Sequence, residues 1–202
     1  MMIKTTLMTL AAAALLAVPA FAAAPEVGQA APDFTGVDTN GNEVSLSDFR
    51  GKPVVLEWSN AECPFVVKHY DSGNMQTLQK EATDNDVVWL TIVSSAEGKQ
   101  GYTTGEEANT YMEEVKAAST ARILDSSGEI GKLYDAKTTP HMFVVDEEGI
   151  LVYAGAIDSD KSFKPEAIDG AENYVAAALA SLEADEPIKV ASTKPYGCSV
   201  KY

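Results

Sequence analysis

The sequence predicts an α/β fold, one domain built on a central mixed sheet flanked by helices. Three observations predict it. Two short apolar runs, Pro53 to Trp58 and Val87 to Ser94, have the length and β-branched content of strands buried on both faces. Each is followed by helical start signals, which sets up strand–helix–strand units of the kind that pair in parallel. A hairpin pattern and a closing amphipathic helix follow, and the hairpin adds antiparallel arms to the sheet.

The elements come in order. Asp33 to Ser45 reads as a small hairpin around Asp38-Thr39-Asn40-Gly41, where the Asn-Gly step suits positive φ. After the first buried strand, Pro64 opens a helix to Tyr70, broken near Gly73 and resumed from Met75 to Thr83. Beyond the second buried strand, Thr104-Gly105-Glu106-Glu107 is a capping box. It predicts a helix through Ala118 with Ala108, Tyr111, Met112 and Val115 on one face. A short strand near Ala121 to Leu124 and a helical turn around Ile130 to Tyr134 lead to the hairpin. Its arms are Met142 to Val145 and Ile150 to Ala154, joined by Asp146-Glu147-Glu148-Gly149. Ala171 to Glu183 is the last helix, and Pro187 to Tyr202 reads as an irregular tail.

The two ends frame this domain. Residues 1–22 have the pattern of an export signal: Lys4, an apolar stretch from Leu7 to Phe21, and the small-residue site Ala20-Phe21-Ala22, with Ala24 as a second cleavage choice. That stretch is short for a membrane span. The expected organisation is a signal peptide over 1–22, a domain over 23–186 and a tail over 187–202, in a periplasmic or secreted product. Formal charge is −15, and losing Lys4 makes it one unit more negative. So acidic a body repels phosphate backbones and anionic lipid, which argues against nucleic-acid and membrane-surface partners.

Only two cysteines occur, Cys63 and Cys198. Cys63 ends a buried strand where a helix begins, and the unpaired N–H groups of a helix start stabilise a thiolate. An exported chain also meets conditions that permit disulfides. A thiolate that attacks peroxide becomes a sulfenic acid, one that attacks a disulfide becomes a mixed disulfide, and a second thiol resolves either. Cys198, in Lys194-Pro195-Tyr196-Gly197-Cys198-Ser199, is the candidate for that role, on a tail free to fold back or to reach a second subunit. A permanent Cys63–Cys198 bridge and unpaired thiols are the alternatives.

Four segments carry a family resemblance: Ala31-Pro32-Asp33-Phe34, Asn60 to Phe65, Thr138-Thr139-Pro140 and Asp146-Glu147-Glu148-Gly149. Over about Gly28 to Glu183 the chain resembles the thioredoxin-fold redoxins, specifically the peroxiredoxin-like branch grouped with alkyl hydroperoxide reductase and thiol-specific antioxidant proteins. The resemblance implies a thioredoxin-like fold and a thiol-dependent oxidoreductase acting on hydroperoxides or protein disulfides. Its partners would be a thiol reductant or a disulfide-containing protein, with no cofactor. It also implies that Pro140 is cis and faces the nucleophile, leaving Thr139 free to pair with an extended substrate; a rigid strand entry is the plainer reading of that proline. Glu57 has the spacing of the buried thioredoxin carboxylate, six residues before the attacking cysteine, and would exchange protons near Cys63. A place at a sheet edge, or pairing with a lysine, is the alternative.

Departures mark the limits of the resemblance. The peroxidase pattern would need Pro at Leu56 and Thr or Ser at Asn60, and the only arginines are Arg50 and Arg122. Val66 stands where a Cys-x-x-Cys pair would have its second thiol. A non-catalytic reading uses Cys63 with His141 or Met142 to carry copper, although Val67 replaces the second cysteine of the usual Cys-x-x-x-Cys. His141 otherwise reads as solvent-facing or hydrogen-bonded. His69, six residues along the helix, points away from Cys63, and Lys68, Lys80 and Lys132 read as solvated.

Overall fold

The computed structural model describes residues 24–202; the expected signal peptide lies outside the described residues. The chain runs through β1 (Thr35–Val37), β2 (Glu43–Ser45), β3 (Val54–Trp58), α1 (Pro64–Asp71), α2 (Asn74–Asp84), β4 (Val88–Val93) and α3 (Gly105–Glu114). It continues through β5 (Ala121–Leu124), α4 (Glu129–Leu133), β6 (Thr138–Thr139), β7 (His141–Val145), β8 (Leu151–Gly155), α5 (Tyr174–Glu183) and β9 (Cys198–Ser199). The main sheet has the order β5-β4-β3-β7-β8. Strands β3, β4 and β5 are parallel, β7 is antiparallel to β3, and β8 is antiparallel to β7.

Alternation along the central strands divides the core in two. Leu56, Trp58, Leu90, Ile92, Phe143 and Val145 face one side, where Phe34, Ile130 and Tyr134 cover them. Trp58, Tyr134 and Phe143 pack there with ring centroids 5.2–5.3 Å apart, a geometry that adds roughly 0.5–1.5 kcal/mol per pair beyond area burial. Val55, Trp89, Met142, Val144 and Tyr153 face the other side, beneath α1, α2 and α5, and Cys63 belongs to this second cluster.

Three expectations change. The helix after Thr104 stops at Glu114, not Ala118, because Lys116 adopts φ 55° and turns the chain, with Ala117 N–H closing onto Met112 O at 2.9 Å. The last helix starts at Tyr174, since Asn173 caps it through a 2.9 Å bond from Ala176 N–H. The tail is also less irregular than its composition suggests: β9 pairs antiparallel with β6, Thr138 opposite Ser199 and Thr139 opposite Cys198. Ala96 N–H to Lys201 O (2.8 Å), Val200 N–H to Lys137 O (3.1 Å) and Tyr202 Oη to Ala136 O (2.8 Å) fasten its end.

Candidate active site

The strand-to-helix turn that carries Cys63 is built by its own polar groups. Ser59 N–H extends the β4 ladder to Ile92 O (2.9 Å), and Asn60 Oδ1 accepts from Glu62 N–H (2.9 Å). Cys63 N–H closes onto Asn60 O at 3.0 Å, and Cys63 is the N-cap of α1 with Pro64 behind it. The turn therefore fixes the sulfur at the helix mouth. Gly101 N–H donates to Glu62 Oε1 at 3.1 Å, which ties the side chain of Glu62 to a neighbouring loop.

Around that sulfur stand Thr139 and Cys198. The Thr139–Pro140 peptide is cis. As a thiol, Cys63 Sγ donates to Thr139 O at 3.0 Å and is fully buried. Cys198, opposite Thr139 in the β6–β9 pair, carries a free thiol and packs against the cluster that holds Cys63. Burial pushes the Cys63 thiol up, but donors prevail and bring it below the usual thiol range. The neighbouring Cys198 thiol is the first of them, with the N–H groups of Cys198 and Val66 behind it. Burial first, and then the neighbouring Cys63 sulfur, push Cys198 up to about 12. The pair is asymmetric: Cys63 ionises first while Cys198 keeps its proton.

Glu57 is fully buried in β3, at the centre of the sheet, and no lysine pairs with it among the described residues. Its carboxylate accepts from Trp89 Nε1 (2.9 Å), Thr91 Oγ1 (3.1 Å), Gln79 Nε2 (3.1 Å) and Tyr70 Oη (3.3 Å). Among the described residues it has no hydrogen bond to Cys63; it joins β4, α1 and α2 beneath the site. His141 is buried, and its Nδ1 accepts from Lys137 N–H (3.3 Å) while its ring lies 4.4 Å from that of Phe143. Adjacent positions on β7 face opposite ways, so His141 lies on the other side of the sheet from Met142. Burial first, and the Lys137 charge, hold His141 down to about 4 against the pull of Asp135. Neither arginine is near the sulfur's hydrogen bonds: Arg50 donates to Glu148 O (2.8 Å) and Arg122 stacks 5.3 Å from the Tyr111 ring.

Lys68 overturns its reading as a solvated lysine. It is 1% exposed. Its Nζ donates to Asp160 O (3.0 Å) and Tyr196 Oη (3.2 Å) and lies 3.6 Å from the Asp158 carboxylate, also buried. Tyr196 Oη in turn donates to Asp158 Oδ1. His69 is buried beside the same carboxylate, Nε2 at 3.7 Å, and burial plus the Lys68 charge hold it neutral with a value of about 3. Nothing in residue type announced this cluster. The one signal was a lysine inside the apolar run Phe65-Val66-Val67-Lys68-His69-Tyr70.

A mixed sheet with helices on both faces, a cysteine at the start of the first helix and a cis proline across from it define a thioredoxin-like protein. The Redoxin family model matches residues 26–172, and the chain belongs to that family. It is 31% identical over 124 residues to the thioredoxin-like protein YneN of Bacillus subtilis, covering 61% of this chain and 68% of the relative. Identity to the thiol-disulfide oxidoreductase ResA of Bacillus thuringiensis is 23% over 134 residues, 63% of this chain and 68% of ResA. Among solved structures, a conserved protein from Geobacillus kaustophilus superposes with a TM-score of 0.75 at 26% identity, covering 88% of this chain and 92% of that one.

Proposed function

We propose that this Redoxin-family protein is an exported thiol–disulfide oxidoreductase, with Cys63 as nucleophile and Cys198 as resolving thiol. The observation that carries the reading is geometric: the Cys63 thiol bonds the carbonyl oxygen of Thr139, the residue that faces Cys198 in the β6–β9 pair, so two cysteines far apart in the sequence meet at one site. The Cys63 thiolate attacks one sulfur of a protein disulfide; that S–S bond breaks, a mixed disulfide forms and the first substrate thiol leaves. Cys198, once deprotonated, attacks the Cys63 sulfur, closes the Cys63–Cys198 disulfide and releases the second thiol. The substrate gains two electrons and the protein loses two. A thiol reductant returns the protein to the dithiol state by the same exchange.

Thr139 and Pro140 shape the groove in this reading, and Glu57 supports the turn from below through Tyr70 and Gln79. Export is supported by the signal-like pattern of residues 1–22. Disulfide exchange is favoured over hydroperoxide reduction, the activity of the peroxiredoxin-like branch, because Leu56 and Asn60 depart from the peroxidase pattern and no arginine hydrogen-bonds the thiol. The test exposes the reduced protein separately to a disulfide-bonded peptide and to hydrogen peroxide, with adducts mapped by mass spectrometry. The expected result is a Cys63–Cys198 bridge from the peptide, a trapped Cys63 mixed disulfide in Cys198→Ser, and no adduct in Cys63→Ser. Rapid sulfenate at Cys63 without peptide exchange would select the peroxidase instead, and an inert Cys63 would return the chain to a non-catalytic role.

A further inference from the structure

The tail that brings Cys198 to Cys63 also closes the site. Cys63 has no exposed surface, and the Thr138–Thr139 edge, where an extended segment would pair, is taken by Cys198 and Ser199. No incoming disulfide can reach the sulfur in this arrangement. The arm must leave before exchange and return to resolve it.

What holds the arm is unusual in its burial. Tyr196, two residues before Cys198, is the arm's buried anchor. Its hydroxyl donates to Asp158 and accepts from Lys68 Nζ, while its ring packs 5.9 Å from that of Phe65 and 5.2 Å from the Lys68 ammonium. Lys68 and Phe65 lie on α1, the helix that Cys63 caps, so anchor and nucleophile share one rigid element. Between Tyr196 and Cys198 stands Gly197, at φ 141°, where a Cβ would overlap the Thr139 carbonyl oxygen. Only an arm with glycine there can lie this close.

We propose that Tyr196, clamped by the buried Lys68–Asp158 pair, is the latch that keeps the 194–202 arm over Cys63, so that substrate reaches the thiol only when the latch lets go. Tyr196 is thus a positioning residue for Cys198. The inference rests on the redox reading for what the substrate is, but its claim about access stands on geometry alone.

The test labels Cys63 with iodoacetamide under native conditions in a Cys198→Ser background, where one thiol remains. Tyr196→Phe keeps the ring and removes only the hydroxyl; Gly197→Ala pushes the arm off from the other side without touching the Lys68 cluster. Losing hydrogen bonds to two charged groups should accelerate labelling by about tenfold or more in Tyr196→Phe, and Gly197→Ala should do the same. Hydrogen exchange should quicken at Val200, whose N–H bonds Lys137 O, and stay unchanged in β3 and β4. Labelling within about twofold of the parent in Tyr196→Phe would overturn the latch whatever Gly197→Ala does, as would acceleration matched by faster exchange throughout the sheet, which is global unfolding. A thiol that opens on latch removal yet exchanges with no disulfide would sink the oxidoreductase reading and leave the latch standing.

Discussion

Removing the Glu57 carboxylate should damage the fold far more than neutralising it. In Glu57→Ala the Trp89 indole and the Thr91 hydroxyl lose the acceptor they share, whereas Gln79 and Tyr70 still bond each other at 3.1 Å. Two orphaned donors at about 1–3 kcal/mol each, with a cavity beneath them, make a loss of about 4 kcal/mol or more the expected outcome. In Glu57→Gln the amide oxygen takes over the position that Trp89 and Thr91 address, and the amide N–H points at Tyr70 Oη. That exchange should cost no more than about 1.5 kcal/mol, because it gives up charge-assisted bonds but also no longer buries a charge. Urea unfolding of the reduced protein at pH 7.5, followed by circular dichroism, measures both, and Cys63 alkylation after latch opening measures reactivity. If Glu57→Ala lies within about 1 kcal/mol of the parent, the hydrogen-bond hub carries little of the stability assigned to it. If Glu57→Gln is stable but slows Cys63 strongly, the carboxylate acts on the thiol's proton and its supporting role is too small a description.

Three further outcomes are expected. His69 and His141 sit below the ordinary histidine range, at about 3 and about 4, so the unfolded chain binds more protons than the fold as pH drops below roughly 6.5. Their contribution is fully present above that value and is lost on acidification. By pH 5 about 2 kcal/mol per histidine should be gone, and urea midpoints at pH 7.5 and 5 that coincide would contradict it. Oxidation that closes the Cys63–Cys198 bridge should stabilise the protein by up to about 5 kcal/mol, since a loop of about 135 residues is tied in the unfolded chain and the arm is already in place; an unchanged urea midpoint after mass spectrometry shows the bridge would refute it. Thr104→Ala removes the cap of α3, in which Thr104 Oγ1 accepts from Glu107 N–H (3.4 Å) and donates to Glu107 Oε2 (2.9 Å), and should lower stability by about 1 kcal/mol, read as a drop in Tm.

The sequence by itself determined the sheet and the thiol. Apolar runs at Val54–Trp58 and Val88–Val93, the Thr104 capping box and the Asp146–Gly149 turn are local signals, written in neighbouring residues and legible without any partner. So was Cys63 at the head of α1, because strand end, cysteine and proline are contiguous. What the tertiary structure alone decided were the meetings of residues far apart in the chain. The tail reads as irregular because two residues of strand leave no periodicity, and their pairing with Thr138–Thr139 comes from an edge formed some sixty residues earlier. Lys68 reads as solvated because lysines usually are; it is buried only because Asp158 and Tyr196, brought from elsewhere, satisfy its charge and donors. Local sequence specifies backbone preference, while the burial of charge and the covering of a thiol depend on which distant groups arrive to compensate them.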